Sequence, residues 1–268
     1  MNRLRHHPRG RKPQPLLERG GYRLRLAGDS ADLRAVQELR HRAFFPARKG
    51  PALDRDAFDA RWRHMLIETC GDGRLLGCLR FTVHPDGSAV GAGYAARHYD
   101  LRPLADHRGA MLEMGRFCTA PGSNDPDVLR MALAGLARVV RDEGVALMFG
   151  CASFAGGGGQ AQSAQREAFA LLGARHLAPR RWRPRIKAPE VLRFSRLSRQ
   201  PEQGGLGLDP GRAVRALPPL LRSYISLGGR VSDHAVVDRE MNTLHVFTGL
   251  EISALPPARR RRLLALAG

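Results

Sequence analysis

Met111-Leu112-Glu113-Met114-Gly115-Arg116-Phe117-Cys118 decides how this chain is read. The run is apolar enough for a buried strand, yet Glu113 and Arg116 interrupt it. A separation of three puts two residues on opposite faces of a regular strand. Gly115 lies between them and permits a bulge that re-aims either side chain. Upstream, Arg74 to Val83 reads as a strand after a Gly-Asp-Gly turn, with Arg80 as its one interior charge. Downstream, Asp125-Pro126 reads as a helix cap followed by proline at the first helical position. That helix runs to about Glu143, with Leu129, Leu133, Leu136 and Val140 on one stripe. Val145 to Cys151 then follows as a short buried strand.

Working outward, Tyr22 to Leu26 suits a first strand. Ser30 is placed to cap a helix carrying Leu33, Val36, Leu39, Ala43 and Phe44. Residues 46–60 are polar and loop-like, Leu217 to Leu227 is helical or extended, and Leu244 to Leu250 reads as a last strand. The mixed order of strands and helices predicts one α+β domain over residues 21–252. Residues 1–20, with six Lys/Arg against one Glu, read as a basic disordered tail. Residues 155–215 read as a basic, partly loop-like insertion, and residues 253–268 as a basic amphipathic end.

Composition restricts the partners. The 268 residues carry 44 Lys/Arg and 25 Asp/Glu, a net +19, which calls for an acidic partner: nucleic acid, anionic lipid or an acidic carrier protein. Aromatics are 6% and do not interleave with the basic runs, which argues against stacking on single-stranded nucleic acid. No stretch reaches the roughly 18 apolar residues of a membrane-spanning helix, and no apolar segment of a secretory signal follows the basic start. Cys70, Cys78, Cys118 and Cys151 form no CxxC pair, so neither a zinc site nor a disulfide framework is expected, and a reducing compartment is.

The charges within strands need partners. Glu113, Arg80 and Arg116 suit either a structural ion pair or acid–base chemistry. Asp56 and Asp59 on the polar loop suit either a cap or the binding of a cationic substrate. Cys151 and Ser153 lack a supporting histidine motif and read as packing. The glycines of 155–159 lack the Lys-Ser/Thr of a phosphate loop.

Six segments in order resemble a known family: Leu39-Arg-His-Arg-Ala-Phe-Phe45, Asp56-Ala-Phe-Asp59, Leu112-Glu-Met-Gly-Arg116, Phe149-Gly-Cys-Ala-Ser-Phe154, Leu217-Pro-Pro-Leu-Leu-Arg-Ser-Tyr-Ile-Ser-Leu-Gly228 and Asp238-Arg-Glu-Met-Asn-Thr243. Over about residues 22–250 the chain resembles the L-ornithine N-alpha-acyltransferases of ornithine-lipid synthesis. Its front half also resembles the acyl-homoserine-lactone synthases, at Arg40, Asp56, Asp59, Arg80, Glu113 and Arg116. The resemblance implies a GNAT-like mixed, mainly antiparallel sheet flanked by helices, with a C-terminal extension. It implies a 3-hydroxyacyl donor on acyl carrier protein, L-ornithine as acceptor and lyso-ornithine lipid as product. No metal or other cofactor is expected, the acyl-carrier protein being a co-substrate. Arg222, and Asn242-Thr-Leu-His245, depart from the family pattern at positions that bear on the acceptor.

Within that frame Glu113 is the expected proton acceptor and Arg116 its companion in the catalytic strand. Arg40, Asp56, Asp59 and Arg80 are the expected substrate-binding set. The stretch Ala120 to Pro126 lacks the glycine-rich loop of CoA-dependent relatives, which suits a carrier-protein donor. The helix start that follows favours a phosphate. Arg130, Arg138 and Arg141 are expected either to meet an acidic carrier or to form a solvated face. The basic segments are expected to hold the enzyme on an anionic inner-membrane surface from the cytoplasm, with no specific nucleic-acid partner. An autoinducer-type synthase using S-adenosylmethionine, or a non-enzymatic basic binder, are the competing readings.

Overall fold

The computed structural model describes residues 14–48, 50, 52–123, 125–156, 160–197 and 209–267. In chain order the elements are β1 (Leu17–Arg19), β2 (Tyr22–Leu26), α1 (Ser30–Phe44), β3 (Arg63–Thr69), β4 (Leu75–His84), β5 (Tyr99–Asp100), β6 (Met111–Thr119), α2 (Pro126–Asp142), β7 (Leu147–Ala155), α3 (Gln160–Arg175), β8 (Arg185–Ile186), β9 (Val191–Arg193), α4 (Phe194–Leu197), α5 (Pro210–Arg215), α6 (Pro219–Leu227), β10 (Arg230–Asp238), β11 (Thr243–Glu251) and α7 (Pro257–Leu264). They form two compact units, one of residues 1–82, 115–139 and 264–268, the other of 83–114 and 140–263. The boundaries fall inside β4, β6, α2 and α7, the one in β6 between Met114 and Gly115.

In the first unit β1 to β4 form an antiparallel ladder in chain order. The pleat sorts its side chains onto two faces. Cys78 lies opposite Leu66 and Arg80 opposite His64 on one face, and Val36 and Leu39 of α1 pack there with Leu66, Cys78 and Cys118. The other face carries Leu24 and Met65. Gly135 of α2 meets these two so closely that a methyl group there would approach Leu24 Cδ2 to 2.4 Å. Asp29, not Ser30, caps α1: its Oδ1 accepts the Asp32 N–H at 2.9 Å, an interaction whose loss costs about 1 kcal/mol. Arg25, buried, joins Asp32 of α1 to Glu68 of β3.

In the second unit β6 pairs with β7 in parallel, and β7, β11, β10 and β9 continue antiparallel. One face of this sheet packs Phe149 and Phe247 against Tyr99, Leu101 and Trp182. The other packs Phe154 and Val246 against Phe169 and Leu172 of α3 and Leu221 of α6. Each such fully buried apolar side chain contributes roughly 1.5–3 kcal/mol of transfer free energy. Together the units show the expected α+β architecture of a mixed, mainly antiparallel sheet with flanking helices.

Two sequence expectations need correction. The chain is ordered from before residue 20, because Leu17–Arg19 closes a hairpin onto β2 through Gly20 and Gly21, both in the left-handed region. Residues 1–13 of the expected tail lie outside the described residues. The expected loop-like insertion holds α3, β8, β9, α4 and α5, because Ala168, Phe169 and Leu172 supply an apolar stripe that the basic composition masked. The glycines 157–159 and residues 198–208 lie outside the described residues.

Candidate active site

Glu113 sits on β6 with 1% of its surface exposed. Its Oε2 faces His84 Nε2 at 3.0 Å, and its Oε1 accepts the Ala95 N–H at 2.6 Å. Gly93 makes this possible, since a methyl group on its Cα would come within 1.9 Å of Oε2. His84 ends β4, and its ring stacks on Phe149 at 6.0 Å between centroids. A buried carboxylate that orients an imidazole is the arrangement used to hold a base in one tautomer. His84 was not among the residues expected from sequence. It stands four positions after Arg80, on the same strand face, so the period of two offered the signal.

The β6–β7 register ends at Met114 opposite Gly150. A side chain at position 150 would strike the Met114 carbonyl oxygen at 2.3 Å, so β6 can lie against β7 here only because residue 150 is glycine. Beyond this point, on the sheet face under α6, an apolar recess is lined by Met114, Gly150, Ala152, Leu221, Tyr224 and Thr248. Pro219 starts α6 and Gly228, at φ 108°, ends it. A wider cleft of about 510 Å³, lined in part by Ser88, Asp100, Arg102 and Lys187, contains none of the residues expected from sequence. Arg102 is paired with Asp100 there, and Lys187 donates to the Ala96 carbonyl.

Within the first unit, three arginines and three aspartates form a closed set. Arg40 donates to Asp54 Oδ2 at 2.8 Å and to both oxygens of Asp59. Arg80 grips both oxygens of Asp56 at 2.6 Å and reaches Asp59 Oδ1 at 2.7 Å. Arg116 Nε lies 3.1 Å from Asp54 Oδ2. Asp59 also accepts from Gln37 Nε2 and the Asp56 N–H. Burial alone would raise the Asp59 carboxyl. Its hydrogen bonds and attraction to Arg40, with those of Arg80, instead hold it far below the usual carboxylate range. Asp56 moves the same way, burial being outweighed by Arg80.

These contacts redistribute the expected roles. Five donors already meet the roughly four lone-pair sites of Asp59, so it has no capacity for a substrate ammonium. Arg40 and Arg80, each 1% exposed, are buried bridges rather than substrate contacts. Asp56 and Arg116, with side chains 17% and 16% exposed, form the accessible edge of the set. Arg116, rather than Gly115, carries the left-handed backbone, at φ 54°. A non-glycine residue there costs of order 1–3 kcal/mol, a strain characteristic of functional positions. Asp54, absent from the expected set, is the third carboxylate that balances the charge.

Other motifs have structural explanations. Asp238 to Thr243 is the β10–β11 turn, where Asp238 Oδ1 accepts the Met241 N–H and Asn242 sits at φ 49°. The first turn of α2 carries Asp127 beside the capping Asp125, and these carboxylates oppose a phosphate. Arg130 and Arg141 lie on the surface paired with Asp127 and Asp142, and Arg138 donates to the Leu16 carbonyl. Such surface pairs contribute little to stability. Cys78 and Cys118 are buried thiols 3.7 Å apart.

The fold and this site define an N-acyltransferase of the GNAT type, and the acetyltransferase (GNAT) domain family matches residues 39–134. Over 252 residues the chain is 30% identical to the L-ornithine N(alpha)-acyltransferase of Rhodobacter capsulatus, covering 89% of this chain and 93% of that protein. It is 29% identical to the Rhizobium meliloti protein of the same name, over 86% of this chain and 80% of that one. The chain therefore belongs to the L-ornithine N(alpha)-acyltransferase family. Among solved structures, FeeM, an N-acyl amino acid synthase from uncultured soil microbes, aligns with 87% of this chain and 93% of its own at 9% identity and a TM-score of 0.45.

Proposed function

We propose that this N-acyltransferase moves a 3-hydroxyacyl chain from acyl carrier protein to the α-amino group of L-ornithine, giving lyso-ornithine lipid, the first step of ornithine-lipid synthesis. The observation that carries the chemistry is the buried Glu113–His84 pair beside the end of the β6–β7 register. The names of the relatives support the acceptor.

In this reading the reacting end of the acyl chain lies over the recess under α6, whose volume of about 20 Å³ admits a small group, and the thioester carbonyl meets backbone N–H groups bordering the end of the β6–β7 register. The α-ammonium of ornithine loses a proton to become a nucleophile. His84 takes it through Nδ1, since Nε2 faces Glu113, and Glu113 stabilises the imidazolium that forms. The amine nitrogen then bonds to the carbonyl carbon, and the C–S bond breaks with its electron pair on sulfur. The nitrogen sheds a second proton and the thiolate takes one up. One thioester and one ammonium thus yield one amide, one thiol and one released proton. The donor's acidic carrier and an anionic lipid surface are partners suited to a net charge of +19. No cofactor takes part in this scheme.

The test incubates the protein with 3-hydroxyacyl carrier protein and a panel of amino acids and reads the products by mass spectrometry. N-acyl-ornithine as the dominant product is expected. Selective acylation of another amino acid overturns the acceptor, and a lactone formed from S-adenosylmethionine overturns the reading as a whole.

A further inference from the structure

The recess under α6 is apolar except for two hydroxyl groups. Thr248 lies on β11 directly opposite Gly150 of β7. Met114 packs against the side-chain-free face of Gly150, and Thr248 lines the recess beside them. Thr248 is 4% exposed, and its Oγ1 has no hydrogen-bond partner among the described residues. Tyr224 of α6 lies over the same recess, 3% exposed, and its hydroxyl donates to the Met114 sulfur at 3.2 Å. A thioether is a weak acceptor. The threonine hydroxyl thus has no partner among the described residues, and the tyrosine hydroxyl has only a poor one. A buried hydroxyl without a partner carries a desolvation cost that a ligand bringing the missing group removes.

A saturated acyl chain would cover both hydroxyls and satisfy neither. A chain bearing its own hydroxyl a few bonds from the carbonyl brings both a donor and an acceptor. We propose that this recess reads a hydroxyl on the acyl chain, with Thr248 as the side chain that discriminates hydroxylated from unsubstituted donors and Tyr224 as its second contact. This rests on the acyl-transfer reading above, and adds to it the part of the protein that selects the donor. Selection of this kind is strong because the wrong ligand leaves polar groups of the site unpaired.

The experiment uses the full chain with ornithine and two carrier-bound donors of equal length, one 3-hydroxylated and one unsubstituted. The quantity read is the ratio of kcat/KM for the two donors. The wild type is expected to prefer the hydroxylated donor, Thr248→Val to reduce that ratio about tenfold, and Thr248→Ser to restore most of it. An unchanged ratio in Thr248→Val, or equal use of both donors by the wild type, overturns the inference while leaving acyl transfer intact. Transfer from neither donor to any amino acid overturns the acyl-transfer reading and the inference together.

Discussion

Glu113 and His84 face each other at 3.0 Å, with the second carboxylate oxygen held at 2.6 Å by the Ala95 N–H. Glu113→Gln keeps an acceptor for Ala95 but removes the charge that orients and stabilises the imidazole. A fall in kcat of roughly 10²–10⁴-fold is expected, with the thermal midpoint lowered by only a few degrees. Steady-state kinetics and a thermal melt on one preparation check both halves. Near-wild-type turnover would remove Glu113 from the chemistry.

Asp59 has the opposite character. Asp59→Asn leaves Arg40 and Arg80 short of countercharge in the interior, and a loss of roughly 3–5 kcal/mol is expected in urea unfolding. Its carboxyl is depressed in the folded state, so its stabilisation is present above the unfolded value of about 4 and is lost as pH falls below it. Acid unfolding below about pH 4 is therefore expected to be shallower in Asp59→Asn than in the wild type. Parallel acid titrations of the two proteins would reveal the difference.

His245 supplies a second pH dependence, with a different window. Burial, reinforced by His98, lowers its pKa from 6.5 to about 4. Between these values the unfolded chain binds more protons than the folded one, so stability rises with pH across that window. The displacement corresponds to on the order of 3 kcal/mol lost on going from neutral pH to about pH 4. His245→Leu is expected to flatten this part of the profile. Tyr99 keeps its hydrogen bond to the backbone carbonyl of residue 245 at 2.8 Å in that variant. Denaturant melts at pH 7.5 and 4.5 measure the effect, and equal slopes in both proteins would count against it.

The basic segments bear on localisation. No helix among the described residues is long and apolar enough to cross a membrane. Arg259 to Arg262 are exposed on α7, as are Arg175, Arg180, Arg181, Arg185, Arg193 and Arg196. Peripheral docking on anionic lipid, at about 1 kcal/mol per well-placed arginine, predicts co-sedimentation with anionic vesicles that weakens as salt rises. Replacing Arg259 to Arg262 with glutamine is expected to weaken it further. Absence of binding at physiological salt would defeat the docking proposal.

The legibility of the chain was uneven for physical reasons. The strand at Met111–Thr119 and the helix at Pro126–Asp142 were readable because apolar period, cap and proline agree within one local window. β3 and β10 were missed. Neither has a clean local alternation: Arg63-His64 and Glu68 break one, and Ser232 to His234 break the other. Each is held by pairing on both sides. α3 was missed because its arginines and glutamines hide a stripe whose partners, Phe154 and Phe194, come from distant segments.

By itself the sequence determined the α+β class, the interrupted strand that carries Glu113 and Arg116, and the ordered motifs that point to acyl transfer. These depend on local periodicity and on residue types at short spacing. Only the tertiary structure decided which charges are partners. Glu113 took His84 and Ala95, while Arg80 and Arg116 went to the aspartates of residues 54–59. Only the fold, too, set Thr248 opposite Gly150 in the recess under α6. Strand pairing and side-chain burial choose a partner by geometry across the fold, and spacing along the chain does not encode that choice.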